Sequence, residues 1–149
     1  MKSEPHVYPW EQLVKDGHTH WDGVRNYQAR NIMRDQMKIG DMVFFYHSNC
    51  KPPHIAGIAR VCKEGYPDHT AQDSTSKYFD EKATPDNPRW IMVDIEAVQS
   101  MDGIVTLPDL KANPLLEGMP LLARGQRLSV QPVSEEHYNI VCKMGGVEN

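Results

Sequence analysis

Met42-Val43-Phe44-Phe45-Tyr46-His47, followed after Lys51-Pro52-Pro53 by Ile55-Ala56-Gly57-Ile58-Ala59-Arg60-Val61-Cys62, decides the class of this chain. Both runs are apolar and rich in β-branched and aromatic residues, which suit a pleated, half-buried surface. Asp41 and the two prolines punctuate them, so the pair predicts adjacent antiparallel strands. Trp90-Ile91-Met92-Val93-Asp94-Ile95-Glu96-Ala97-Val98 predicts a third. Its Asp94 and Glu96 stand two apart and share one face, while Ile91, Val93 and Ile95 fill the other, so one face is buried and one wet. Leu128 to Val133 reads as a further strand.

Helical signals flank these strands. Pro9 to Asp16 reads as a short helix, with Pro9 in its first turn, Trp10, Leu13 and Val14 on one face and Gly17 as its stop. Tyr27 to Met37 predicts a second, ended by Gly40. Thr106-Leu107-Pro108-Asp109 opens another in the manner of a capping box, and Ser134-Glu135-Glu136 caps a last helix through Cys142, with Lys143 in its final turns. Between Lys63 and Arg89 no period is visible, yet Tyr66, Tyr78 and Phe79 are spread through the segment. A stretch so long is expected to be an ordered, packed excursion serving as a lid or pocket wall. Strands and helices intermingle with no βαβ repeat. The class expected is α+β, a curled, mostly antiparallel sheet or barrel with helices at its rim, formed as a single domain over 1–149.

An apolar fraction of 40% with 24% charged residues supports a real core and excludes disordered and fibrous classes. No run approaches the roughly 18 apolar residues that cross a bilayer, and Met1-Lys2-Ser3-Glu4-Pro5 lacks a signal-peptide core. No membrane partner is expected, and the location expected is cytoplasmic, or nuclear in a nucleated cell. Cys50, Cys62 and Cys142 are odd in number and far apart, which points to reduced thiols rather than a disulfide framework or metal knuckle. The net charge of −4 argues against an indiscriminate grip on duplex phosphates. Charge is uneven, however: between Arg25 and Lys38 the cations Arg25, Arg30, Arg34 and Lys38 face only Asp35. Such a patch could take one nucleic-acid strand or form a solvated helix face.

Trp21-Asp22-Gly23-Val24-Arg25-Asn26-Tyr27 gathers aromatic faces, a guanidinium and an amide around one glycine, the parts that hold a planar ring and read its edge. The alternative is that Trp21 anchors the core while Arg25 and Asn26 cap a helix. Tyr46-His47-Ser48-Asn49 ends a strand, where its polar groups could meet a ligand edge or phosphate, or simply make the turn. Lys2-Ser3-Glu4-Pro5 gathers a cation, a hydroxyl and a carboxylate, although a disordered terminus is the default. Arg89 and Trp90 offer a second wall or core packing; Gln131 offers an amide near the same site or leaves the sheet. His18 and His20 would share one strand face, but no further metal ligands stand nearby, so no metal is expected. The phosphate-loop, dinucleotide, zinc-protease and hydrolase-elbow patterns are all missing, and no cofactor or catalytic residue is indicated.

The joint order of Met1-Lys2-Ser3-Glu4-Pro5, Trp21 to Asn31, Phe45-Tyr46-His47-Ser48, Gly57-Ile58-Ala59, Pro88-Arg89-Trp90 and Leu128-Ser129-Val130-Gln131-Pro132-Val133 resembles the signature blocks of EVE-domain proteins. The resemblance implies a PUA-like fold, a small β-barrel ringed by short helices. Family members carry a few more residues before the Lys-Ser-Glu-Pro block, so either a shortened first strand or an internal start is expected. The resemblance also implies a reader of modified bases, chiefly 5-modified cytosines in DNA or RNA, that flips the nucleotide into a pocket. On that reading the base stacks on Trp21, with Tyr46 or Trp90 as a second wall, and Asn26 and Ser48 bond its edge. Lys2, Arg25 and Arg30, with Ser3 and His47 at the pocket edge, receive phosphates. A second reading is an enzyme acting on a modified nucleoside or RNA, in which Lys2 activates a hydroxyl or water and Glu4 shuttles the proton.

Overall fold

Alternation along β3 (Met42–His47) gives the molecule two cores. Successive side chains of a strand point to opposite faces. Val43 and Phe45 join Trp10, Leu13, Ile32, Met33 and Ile95 on one side, while Phe44 and Tyr46 join Ile55, Leu110, Leu116 and Val141 on the other. The computed structural model describes residues 1–125 and 128–147. Around β3 lie β1 (Lys2–Ser3), β2 (His18–His20), β4 (His54–Pro67) and β5 (Ile91–Thr106), in one five-stranded sheet ordered β1-β3-β4-β5-β2. All its pairings are antiparallel except β1 with β3, where Lys2 lies beside Tyr46 and Ser3 beside His47.

The strands expected around residues 55–62 and 90–98 are present but longer, pairing from His54↔Thr106 to Pro67↔Ile91. Four register shifts interrupt that ribbon and bend it, which is why its outer parts show no clean alternation in the sequence. Leu128 to Val133 forms no strand. It meets β1 through one ladder bond, from the Lys2 amide to the Ser129 carbonyl at 2.8 Å, and Pro132 has no N–H to extend it. The start of the chain, expected as disordered, is ordered by that bond, by the Met1 nitrogen donating to Phe44 O, and by the Tyr46 and Ser48 amides donating to Met1 O and Ser3 O.

Four helices complete the fold: α1 (Trp10–Asp16), α2 (Tyr27–Asp35), α3 (Leu107–Ala112) and α4 (Glu135–Met144) among the described residues. Gly57 lets α1 lie directly on β4, because a Cβ there would overlap the Trp10 indole. α2 stops two residues before the expected Met37, whose amide closes onto Ile32 O instead of continuing the helical pattern. Thr106 caps α3 by accepting from the Asp109 amide, and Ser134 caps α4 by accepting from that of His137, both as the sequence predicts. No helix of the described residues is long and apolar enough to cross a membrane.

Candidate functional site

The residues singled out in the sequence separate into two groups. The first is the Trp21–Tyr27 stretch, which the excursion between β4 and β5 engages from within. At its centre is Asp68, fully buried, whose oxygens accept from the Gly23 amide (2.9 Å), Arg25 Nη1 (3.0 Å), the Thr70 amide (2.9 Å) and Thr70 Oγ1 (2.6 Å). Burial alone would raise this carboxyl's pKa, but the bonds from Thr70, Gly23 and Arg25 outweigh it and hold the group below its ordinary value. Gly23 has a φ of 78°, a left-handed conformation that glycine adopts without strain and that aims its amide at Asp68.

Arg25, expected at a phosphate, also donates through Nε and Nη2 to Tyr78 O at 3.0 and 2.7 Å, so its guanidinium ties the excursion to the segment that leads into α2. Asn26, expected at a base edge, caps α2 by accepting from the Ala29 amide at 3.0 Å. Trp21 is half-buried, edge-on to Phe45 at 5.6 Å. Trp90 is buried with Ala71 and Ala83, donates Nε1 to Asp80 at 2.7 Å and is stacked by Tyr27 at 4.7 Å. Arg30 donates to Arg89 O at 2.8 Å and lies over the Tyr27 ring, while Arg89 bonds the Tyr27 hydroxyl. Within this stretch Asn26 caps a helix, Arg25 is engaged by Asp68 and Tyr78, and Trp21 packs edge-on against Phe45 with part of its surface exposed.

The second group is sorted by strand parity. Lys2 and Tyr46 are partners in the β1–β3 register, and with Ser48 they line a groove of about 610 Å³. Ser3 and His47 are partners on the opposite face and are buried there. Ser3 Oγ donates to Tyr8 O at 2.6 Å; His47 Nε2 accepts from the Trp10 amide at 3.2 Å and its Nδ1 lies 3.1 Å from Ser3 O. These partners fix a neutral Nδ1–H tautomer, and burial pushes the imidazole pKa down, so His47 supports α1 and β1 and offers no charge to a phosphate. Glu4 pairs with His6 at 3.0 Å outside the groove, so Lys2, Ser3 and Glu4 do not converge as an acid–base set.

The groove has members that the sequence reading missed. Lys111, at the end of α3, and Arg124, in the turn after the 3-10 turn Pro120–Leu122, join Lys2 around it, and no carboxylate lines it among the described residues. Neither cation sits in a local pattern; only the closure of α3 and the 120–125 segment over the end of β3 assembles them. Burial holds the Lys2 ammonium below the usual lysine pKa and raises that of the Tyr46 phenol. A throat of about 40 Å³ leads inward from Lys2, Tyr46 and Leu121 to Phe44, Ser129 and Gln131. Beyond it, a larger groove of about 850 Å³ is edged by Asp41 and Glu135 with no lysine or arginine, a poor host for phosphate. No three His, Cys, Asp or Glu of the described residues come together as metal ligands.

Residues 1–144 match the family model of the EVE domain. The chain belongs to the EVE domain family. This EVE domain is 45% identical to thymocyte nuclear protein 1 of Homo sapiens, over 85% of the chain and 59% of that protein, so it spans less than two thirds of that relative. A crystal structure of a Pseudomonas syringae protein superposes with a TM-score of 0.92 at 46% identity, covering 97% of each chain. Human THYN1, solved in complex with 5-methylcytosine containing DNA, superposes with a TM-score of 0.89 at 40% identity, covering 100% of this chain and 97% of that one. The α+β, PUA-like architecture that the resemblance implied is the fold of this EVE domain.

Proposed function

We propose that this EVE domain is a non-enzymatic reader of DNA carrying modified bases, 5-methylcytosine foremost, and that the flipped nucleotide enters the groove at Lys2, Tyr46 and Ser48. The observation that carries this reading is the cationic rim: Lys2, Lys111 and Arg124 edge a cleft walled by Tyr46 and Leu121. Apolar and aromatic walls favour a base that has left its stack, and cations at the mouth favour the phosphates on either side of it. The DNA-bound human relative of the same fold supports the same ligand class. Ser48, at the strand exit, offers a hydroxyl to the sugar or base edge. The enzymatic alternative has the desolvated Lys2 in its favour, but Glu4 is paired elsewhere.

The test is a panel of short single- and double-stranded DNA and RNA, with and without 5-methylcytosine, at several salt concentrations. Each phosphate contact adds about 0.9 to the slope of log affinity against log salt on duplex DNA. Lys111→Ala with Arg124→Ala should therefore lower the slope by about 1.8 while retaining the preference for the modified base. An unchanged slope, or flat binding across the panel, refutes the reading.

A further inference from the structure

Gln131 Oε1 is the one buried side-chain nitrogen or oxygen without a hydrogen-bond partner among the described residues. Its orientation is fixed, because Nε2 donates to Leu128 O at 2.8 Å and a flipped amide would set Oε1 against that carbonyl, lone pair to lone pair. An acceptor is therefore held where a donor is wanted. Gln131 lines the throat, as well as the larger groove beyond it, and the throat's other walls are mostly apolar: Met1, Phe44, Ile55, Met119, Leu121 and Val133. Lys2, Tyr46 and Leu121 line both throat and groove, so the two adjoin.

We propose that Gln131 is the specificity residue of this site, its side-chain oxygen accepting from the exocyclic amine of a bound base and so selecting cytosine over thymine or uracil. This rests on the groove reading above. The throat, about 40 Å³, is far smaller than the groove of about 610 Å³ outside it. On this proposal the amino group enters the throat while the ring stays at the mouth beside Tyr46 and Lys2. Cytosine presents a 4-amino donor at the position where thymine and uracil present a carbonyl oxygen. A carbonyl there would meet Oε1 acceptor to acceptor, leaving two desolvated oxygens unpaired.

The decisive comparison uses one oligonucleotide with 5-methylcytosine, thymine or 5-methyl-2-pyrimidinone at a single position. The first two differ at the base edge and the third replaces the amine by hydrogen. The wild-type protein should bind 5-methylcytosine about tenfold more tightly than either of the others. Gln131→Leu should abolish the discrimination, lowering 5-methylcytosine affinity about tenfold while thymine binding does not weaken. The pyrimidinone arm uses the wild-type protein alone, so it tests the proposal even if the variant folds poorly. Equal wild-type binding of all three bases overturns the proposal and leaves the groove reading standing. A Gln131→Leu variant that weakens 5-methylcytosine and thymine binding alike overturns it too, by showing a supporting role only. If the wild-type protein binds none of the three, the groove reading fails and this inference falls with it.

Discussion

Replacing Asp68 by Asn removes one charge and one acceptor from the point where the β4–β5 excursion is tied down. Four donors converge on the two carboxylate oxygens: the Gly23 and Thr70 amides, Thr70 Oγ1 and Arg25 Nη1. An asparagine keeps one oxygen, so two of those donors would face an NH₂ group. Breaking a buried ion pair costs about 3–5 kcal/mol. The lower end applies, because the Arg25 side chain is 22% exposed and keeps its bonds to Val24 O and Tyr78 O. The expected loss is about 3 kcal/mol, which for a domain of this size lowers Tm by about 6–12 °C. The dependence on pH follows from the depressed carboxyl. Its contribution is present in full above the ordinary aspartate value, about 3.9, and is lost as pH falls through the lower folded value. Urea unfolding of wild type and Asp68→Asn from pH 7 down to pH 3 should therefore show a gap that is constant at neutral pH and narrows in acid. A gap below 1 kcal/mol at pH 7, or one that widens in acid, would refute the account of the excursion as clamped by this carboxylate.

Trp21→Ala should lower stability by about 2 kcal/mol, a half-buried fraction of the usual tryptophan truncation, while DNA affinity of the folded protein stays within about threefold. A loss of tenfold or more, measured below the melting temperature, would return Trp21 to the base-stacking role. His47 is neutral and buried with a depressed pKa, so its share of the stability is present above about 6.5 and declines as pH falls toward the folded value; His47→Gln should flatten that decline in chemical denaturation between pH 7.5 and 5.5. Gly57→Ala should cost about 2 kcal/mol and shift tryptophan fluorescence, since the added methyl displaces Trp10 and strains its bond to Ser100 Oγ. An unperturbed spectrum would show that Trp10 is not displaced and would refute the close contact of its indole with Gly57.

Local patterns made much of the fold legible. The apolar run of β3, the Gly17 stop of α1 and the Thr106 and Ser134 caps are all decided within a few residues, and the sequence predicts them at or near their observed bounds. The reach of β4 and β5 is hidden because bulges break the period that identifies a strand. The candidate site was legible only in pieces. Lys2 belongs to one motif and Tyr46 with Ser48 to another, and only the β1–β3 register sets Lys2 and Tyr46 on one face and Ser3 with His47 on the other. Arg25 reads as a free charge because the carboxylate that binds it stands 43 residues away. Lys111 and Arg124 carry no local signal at all.

The pairing of Lys2 with Tyr46 and of Ser3 with His47 makes a two-residue strand into the alignment key of the candidate groove. A slip of one residue would exchange the faces, driving the Lys2 ammonium toward the Trp10 indole and presenting the Ser3 hydroxyl to the groove. The penalty for burying that ammonium is also what discourages the slip. The same lysine thus selects the arrangement in which it can serve, and assembling the groove is part of folding the edge of the sheet.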